Sequence, residues 1–414
     1  MSGVLNVVQN RFRDPLTTKT LSIANDFTEI KRIQASDAEA SDYFGWSVAV
    51  SDTRIVVGVF GEDTGGSNAG AAYIFDIDGN QLAKIQASDA GANDEFGVSV
   101  AVSDTRIVVG AYFEDTTDIN AGSVYIFDID GNQLAKIQAS DAQASDRFGL
   151  SVAVSDTRIV VGAPYEDTTD TSAGSAYIFD IDGNQLAKIQ ASDAQASDLF
   201  GRSVSVSDNR IVVGAKDEGD ANSGTSKAGS AYIFDIDGNQ LAKLVASPRT
   251  GFDYFGTSVA ASNTRIVIGN PNSNTPSPDA GSVYIFDIDG NQLAVIQSSD
   301  VQGNDFFGYS VAVSDTRIVV GAKEEDTTAF NAGSAYIFDI DGNQLAKIQA
   351  SDAQASDIFG YSVAVSDTRI VVGAPYEDTT ASTAGSAYIF RNFYSDYNSI
   401  PWEKIRLKYT GDVE

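Results

Sequence analysis

Carboxylates are the only side chains in this sequence whose numbers and spacing could do acid–base or metal chemistry. The 414 residues include neither histidine nor cysteine. That removes a His general base, a thiolate nucleophile, a disulfide and any zinc-type site. The acids recur in two patterns. Glu114-Asp115, Glu166-Asp167, Glu325-Asp326 and Glu377-Asp378 each follow a β-branched run, and Asp94, Asp146, Asp305 and Asp357 each stand two residues before a Phe-Gly pair. Oxygen-only clusters suit Ca²⁺ or Mg²⁺. Glu166, Asp167, Glu377 and Asp378 are therefore the candidate metal ligands, with Ca²⁺ the cation they fit and no cofactor required for folding. The threonines beside them, Thr168 and Thr379, offer a competing use as partners in local turns. Two carboxylates flanking a glycosidic bond would also hydrolyse it, so a carboxylate-dependent glycan hydrolase is the one enzyme class left open. A repeat that sets the same acids in every unit is a poor way to place one unique pair, and the chain reads as non-catalytic.

A second set of residues points to binding. Phe-Gly pairs begin at Phe44, Phe96, Phe148, Phe200, Phe255, Phe307 and Phe359, 52 residues apart with one interval of 55. The segment DIDGNQLA is repeated six times without change. Against that constancy the residues flanking Phe-Gly differ from unit to unit. Tyr43, Tyr254 and Phe306 precede it in three units, and Trp46, Arg202, Tyr309 and Tyr361 follow it in four. The loop after the β-branched run varies too, through Phe60, Phe113, Tyr165, Asp217, Asn272, Glu324 and Tyr376. Exposed aromatics mixed with arginine are the usual anchors of a binding surface. Drift in unconstrained loops is the bland alternative. The binding reading assigns Tyr43, Trp46, Arg202, Tyr254, Phe306, Tyr309 and Tyr361 to a partner site for a host surface protein or a glycan.

The elements that must position these residues are short strands. In the third unit, Ser151–Ser155 alternates with the two-residue period of a strand, and Arg158–Val161 is a β-branched run. Ala176–Phe179 is a third strand. Asp182-Gly183 supplies the positive φ of a hairpin turn, and Leu186–Ile189 is a fourth strand. Four antiparallel strands in about 50 residues, repeated, make a propeller blade. The expected fold is all-β, a seven-bladed β-propeller over 28–409, with an N-terminal docking arm at 1–27 and a tail at 410–414. Small residues such as Ser47, Ala49, Ser99 and Ala101 suit an inner strand near the axis. Two segments, Ile30–Asp37 and Trp402–Leu407, compete for the fourth strand of the last blade.

Phe148-Gly149, Val160-Val161-Gly162-Ala163-Pro164 and Gly174-Ser175-Ala176-Tyr177 resemble the FG-GAP family, known from integrin α-subunit heads, in a form similar to repeats of marine bacterial and viral proteins. The resemblance implies a propeller with an extracellular or surface binding role, adhesion in particular. The family's calcium loop, of D-x-D-x-D-G type between the first two strands, has no counterpart here. That connection is only Ser155-Asp156-Thr157-Arg158, too short to wrap a hard cation. Asp180-Ile181-Asp182-Gly183-Asn184 lacks the third acid and the closing glutamate, and a hairpin explains it.

With 57 Asp+Glu against 27 Lys+Arg the net charge is −30, a field that repels nucleic acid and anionic membrane. No apolar stretch approaches the ~18 residues of a membrane span. The opening MSGVLNVVQNRFRDPLTTKT does not read as a secretory signal: Asn6 and Gln9 interrupt its apolar run, and Arg11 and Arg13 follow it. These features together favour a phage virion surface or tail protein, docked through the arm to other virion or surface proteins. The alternative is an extracellular bacterial adhesin at the cell surface.

Overall fold

The computed structural model describes residues 27–219 and 226–392. They form seven four-stranded antiparallel sheets and, among the described residues, no helix. The sheets are the blades of a propeller. In the third, Ser151–Val154, Ile159–Ala163, Ser175–Phe179 and Gln185–Ile189 pair in chain order from inside to outside. The two middle strands are buried along their length, whereas the outer strand is exposed on one side. This explains their sequences. A strand covered on both faces reads as a continuous β-branched or aromatic run, and one covered on a single face alternates.

The Phe-Gly phenylalanines are the wedges between blades. All seven are fully buried, and each packs edge-on or tilted against a tyrosine and a phenylalanine of the blade that follows it, as Phe148 does on Tyr177 and Phe179 at 5.5 and 5.9 Å. Gly149 has φ +94, and a methyl group there would run into the Ser123 carbonyl of the previous blade. Only glycine fits that close approach.

The constant hairpin is also an inter-blade device. The Asp180 carboxylate accepts the N–H groups of Asp182 and Asn184 and the Asn184 side-chain amide, at 2.8–3.0 Å. The hairpin leans on its neighbour: a Cβ on Gly183 would lie 2.8 Å from Ile137 Cγ2 of the blade before. From that same blade Arg106 donates Nε–H to the Ile181 carbonyl at 3.2 Å and faces Asp182 at 3.4 Å. Equivalent staples run from Arg54, Arg158, Arg210, Arg265 and Arg369.

Each standard blade also carries a polar chain that runs from an exposed aspartate to a buried glutamate. Tyr177 donates to Asp141 (2.9 Å), Lys188 bridges Asp141 and Glu166 (2.7 and 2.9 Å), and Ser175 donates to Glu166 (2.6 Å). In the fifth blade Pro248, Ser273 and Val295 stand where Asp141, Glu166 and Lys188 stand in the third. All three charges are lost together, as expected if a buried glutamate without its lysine is unfavourable.

The ring closes with the first strand of the chain. Glu29–Ile33 pairs antiparallel with Ser386–Arg391 and becomes the outer strand of the seventh blade. Phe27 lies in the core between the sixth and seventh blades, so the propeller begins at residue 27. The rest of the arm, the segment Trp402–Leu407 and the tail 410–414 lie outside the described residues. The described chain ends, Phe27 and Asn392, are both on the face that carries the constant hairpins elsewhere.

Candidate binding face

The two variable positions around each Phe-Gly are held side by side by one turn. The N–H of Trp46 donates to the carbonyl of Tyr43 at 3.1 Å, and Arg202 to Leu199, Tyr309 to Phe306 and Tyr361 to Ile358 do the same at 3.0–3.2 Å. The first residue of the turn is left-handed in every blade, with φ of 58° at Tyr43, 57° at Tyr254, 53° at Phe306 and 58° at Ile358. For a residue with a side chain that conformation costs roughly 1–2 kcal/mol. The fold offsets it with backbone alone: the Tyr43 N–H donates to Thr383 O, and the Tyr254 N–H to Lys227 O, both on the preceding blade. No side chain takes part in these bonds, which is why the side chain is free to differ.

The turns place their variable residues around one mouth of the axis. Trp46 meets Tyr361 at 4.5 Å between ring centroids and Phe60 at 4.7 Å. Tyr43 stacks on Phe60 at 5.0 Å and 5° and meets Tyr376 edge-on at 5.5 Å. Tyr309 lies 5.2 Å from Tyr361 between ring centroids. Four of the seven expected residues, Tyr43, Trp46, Tyr309 and Tyr361, thus form one aromatic cluster with Phe60 and Tyr376. Phe60 stands one residue earlier in its loop than Tyr376 does in its own. Phe306 joins through Lys323, whose ammonium sits over the rings of Phe306 and Tyr309 at 4.9 and 4.8 Å. Tyr254 is separate, between Lys216 and Lys227. Arg202, on the fourth blade, is close enough to act electrostatically on Tyr361 of the seventh and Tyr112 of the second.

One group was not singled out by type. The Arg147 guanidinium covers Tyr165 at 4.3 Å and Phe113 at 5.1 Å. The three residues come from two blades, and only their shared place in the variable set signals the stack.

Beneath this face lie buried aspartates. Burial, with Glu166 nearby, pushes Asp146 up to about 6, and Asp42, Asp305 and Asp357 rise to about 6 for the same kind of reason. Each accepts the N–H three residues before it, as Asp146 does from Gln143 at 2.8 Å.

The candidate metal ligands are divided in two. Glu166 and Glu377 are buried: Glu166 is ion-paired to Lys188, and Glu377 faces Arg32 at 3.3 Å and Ser386 at 2.8 Å. Burial pushes the Glu166 carboxyl up, but hydrogen bonds from Ser175, Thr168 and Lys188 outweigh it and hold it below the usual range. Asp167 and Asp378 are exposed on the loops beyond. Among the described residues no group of three acids converges as metal ligands would.

The opposite mouth is acidic. A funnel of about 340 Å³ is ringed by the turns after the inner strands, with Asp52, Asp104, Asp156, Asp208, Asp315 and Asp367 from six blades and Asn263 from the fifth. Its serines, such as Ser155, accept the Arg158 N–H and close those turns.

The FG-GAP repeat family model matches seven times, at residues 27–75, 80–127, 132–179, 184–234, 239–286, 291–338 and 343–390. Each match runs from an outer strand through three strands of the next blade, so the sequence unit is offset by one strand from the structural one. No curated protein matches the chain. Seven matched units cover nearly all of the described residues, and the chain belongs to the FG-GAP repeat family.

Proposed function

We propose that this propeller is a non-catalytic binding protein of a virion surface or tail, engaging a host surface ligand through the mouth ringed by Trp46, Arg202, Tyr309 and Tyr361. The observation that carries this is the aromatic cluster itself. Six half-buried rings from the sixth, seventh and first blades meet at positions where the fold uses only backbone. A non-catalytic role agrees with the buried glutamates being tied to Lys or Arg inside the blades. Docking through the N-terminal arm fits the described chain ends, which leave from the face opposite the aromatic mouth.

Attachment assays test the reading. Trp46→Ala and Tyr361→Ala should each weaken ligand attachment at least tenfold, in line with ~2 kcal/mol for a buried aromatic anchor. Asp156→Ala at the acidic mouth should leave attachment unchanged. Deleting residues 1–26 should leave a folded propeller that no longer incorporates into its assembly. Attachment that follows Asp156 and ignores Trp46 would overturn the assignment of the face.

A further inference from the structure

The cations of the blades are almost all spoken for. Lys84, Lys136, Lys188, Lys243 and Lys347 are ion-paired within their blades, and six arginines face hairpin aspartates. Lys216 and Lys323, at the edge of the aromatic mouth, are paired to Asp217 and Glu324. Arg147 and Arg202 differ. Neither makes a salt bridge with any described residue, and both are on the variable face of neighbouring blades. In a chain with 57 acids, two half-buried guanidiniums outside any salt bridge are out of balance with their surroundings, and the one carboxylate that acts electrostatically on Arg147, Glu95, is not ion-paired to it. Arg147 rests on aromatic faces, and Arg202, held by the same kind of turn as Trp46 and Tyr361, is within electrostatic reach of Tyr112 and Tyr361.

The backbone here offers a ligand little. The N–H groups of Trp46, Leu150, Arg202, Tyr309 and Tyr361 are taken up by their own turns. These turn donors are therefore not free to hold an extended peptide. What remains is a set of ring faces, phenolic hydroxyls and a guanidinium. A pyranose ring matches that set: its C–H face packs on an aromatic ring, its hydroxyls pair with tyrosine, and an anionic substituent takes the planar fork of an arginine.

We propose that the ligand of this mouth is an anionic saccharide, its carboxylate or sulfate held by Arg202 and its sugar ring by Trp46 and Tyr361, with Arg147 extending the site for a second anionic unit. The proposal rests on the reading of this mouth as the binding face. It also gives the acidic body a role, because a field of −30 disfavours such a ligand except where cations such as Arg202 stand outside salt bridges.

Calorimetry with the full chain tests it, using oligogalacturonate and its methyl ester for the carboxylate, and κ-carrageenan oligosaccharide and its desulfated form for the sulfate. One of the two acidic probes should bind, its neutral form at least tenfold more weakly, and binding should weaken as NaCl rises from 50 to 300 mM. Arg202→Met should lose tenfold or more for the acidic probe and nothing for its neutral form, and Arg202→Lys should fall between. Equal binding of a neutral form, or an unaffected Arg202→Met, overturns the anion but not the face. If no saccharide binds while Trp46→Ala still abolishes attachment, the ligand is not a glycan and only the present proposal falls. If Trp46→Ala changes nothing, both fall.

Discussion

The two mouths of one axis are built from the same seven repeats, yet one is a ring of near-identical Ser-Asp turns and the other a mosaic of Trp, Tyr, Arg, Val, Leu and Thr. The difference lies in which atoms the fold spends. On the constant side the side chains are used by the fold: Arg106 reaches across to Ile181 and Asp182 of the next blade, and Asp180 closes its own hairpin. On the variable side the turn from Arg147 to Leu150 is closed by main-chain bonds, and only the Phe148 and Gly149 within it are fixed by packing. Constancy marks side chains used by the fold, and variation marks positions where the fold needs only a peptide group.

The sharpest way to break this comparison uses two neighbours in one turn. Phe148→Ala should destabilise by about 3–5 kcal/mol, the usual loss for a buried phenylalanine. Leu150→Ala, two residues on, should change stability by less than about 0.5 kcal/mol, as for surface substitutions generally. Urea unfolding measures both, and comparable losses would contradict the division of labour.

A smaller effect is expected inside a blade. Lys188→Val strands Glu166, whose side chain is 1% exposed, and should cost about 2 kcal/mol, discounted from the fully buried case because Lys188 is itself 20% exposed. Adding Glu166→Ser, the residue blade five has at that place, together with Asp141→Ser should recover part of that loss. A strictly additive triple variant would show that the charges do not act as a unit.

The smallest effect concerns pH and separates the two sides again. Under the variable face folding raises Asp42, Asp146, Asp305 and Asp357 to about 6, and Asp198 to about 7, in each case first by burial. A carboxyl raised by folding binds its proton more readily in the folded chain, so this stabilisation is complete below the ordinary value near 4 and is lost as pH rises through 6–7. In the constant hairpins Asp128 and Asp180 are held below the usual range, first by the side-chain amides of Asn132 and Asn184. Their contribution has the opposite sign: it is present above pH 4 and lost in acid. The melting temperature should therefore be a few degrees higher at pH 5.5 than at pH 8 and fall below pH 4. Hydrogen exchange should show the first change around Gln143 and the second around Asn184. A melting temperature that climbs from pH 5.5 to 8 would show that the buried aspartates do not control this range.

The fold was legible because its signals are local and repeated. Phe-Gly spacing, Asp-Gly hairpins and Val-Val runs each report a strand or turn within a few residues. The aromatic cluster was half legible: variation named Tyr43, Trp46, Tyr309 and Tyr361, but their contact depends on ring closure, which brings residue 43 beside residue 376. The electrostatic reach of Arg202 to Tyr361, and Arg147 on Phe113, are relations between blades that no spacing encodes. The acidic funnel was hidden for the opposite reason. Its aspartates looked like ordinary turn residues until seven turns met on one axis. Closure itself was ambiguous in sequence, and the strand Glu29–Ile33 fills the slot, with Phe27 in the core between the sixth and seventh blades and Ile33 in the core between the seventh and the first.

That clasp has a mechanical side. Glu29 and Phe390 are partners at one end of an antiparallel pair, and the chain leaves in both directions from that same end, with Arg391 donating to the Thr28 carbonyl at 3.0 Å. Force applied between the two ends would act across the ladder and peel its bonds one after another, the weakest way to load a strand pair. Force applied between one end and the aromatic mouth would run along the strands and across the Phe-Gly wedges, sharing the load among many contacts. The ring would thus bear a load between one end and its mouth better than a load between its two ends, which would unzip the clasp.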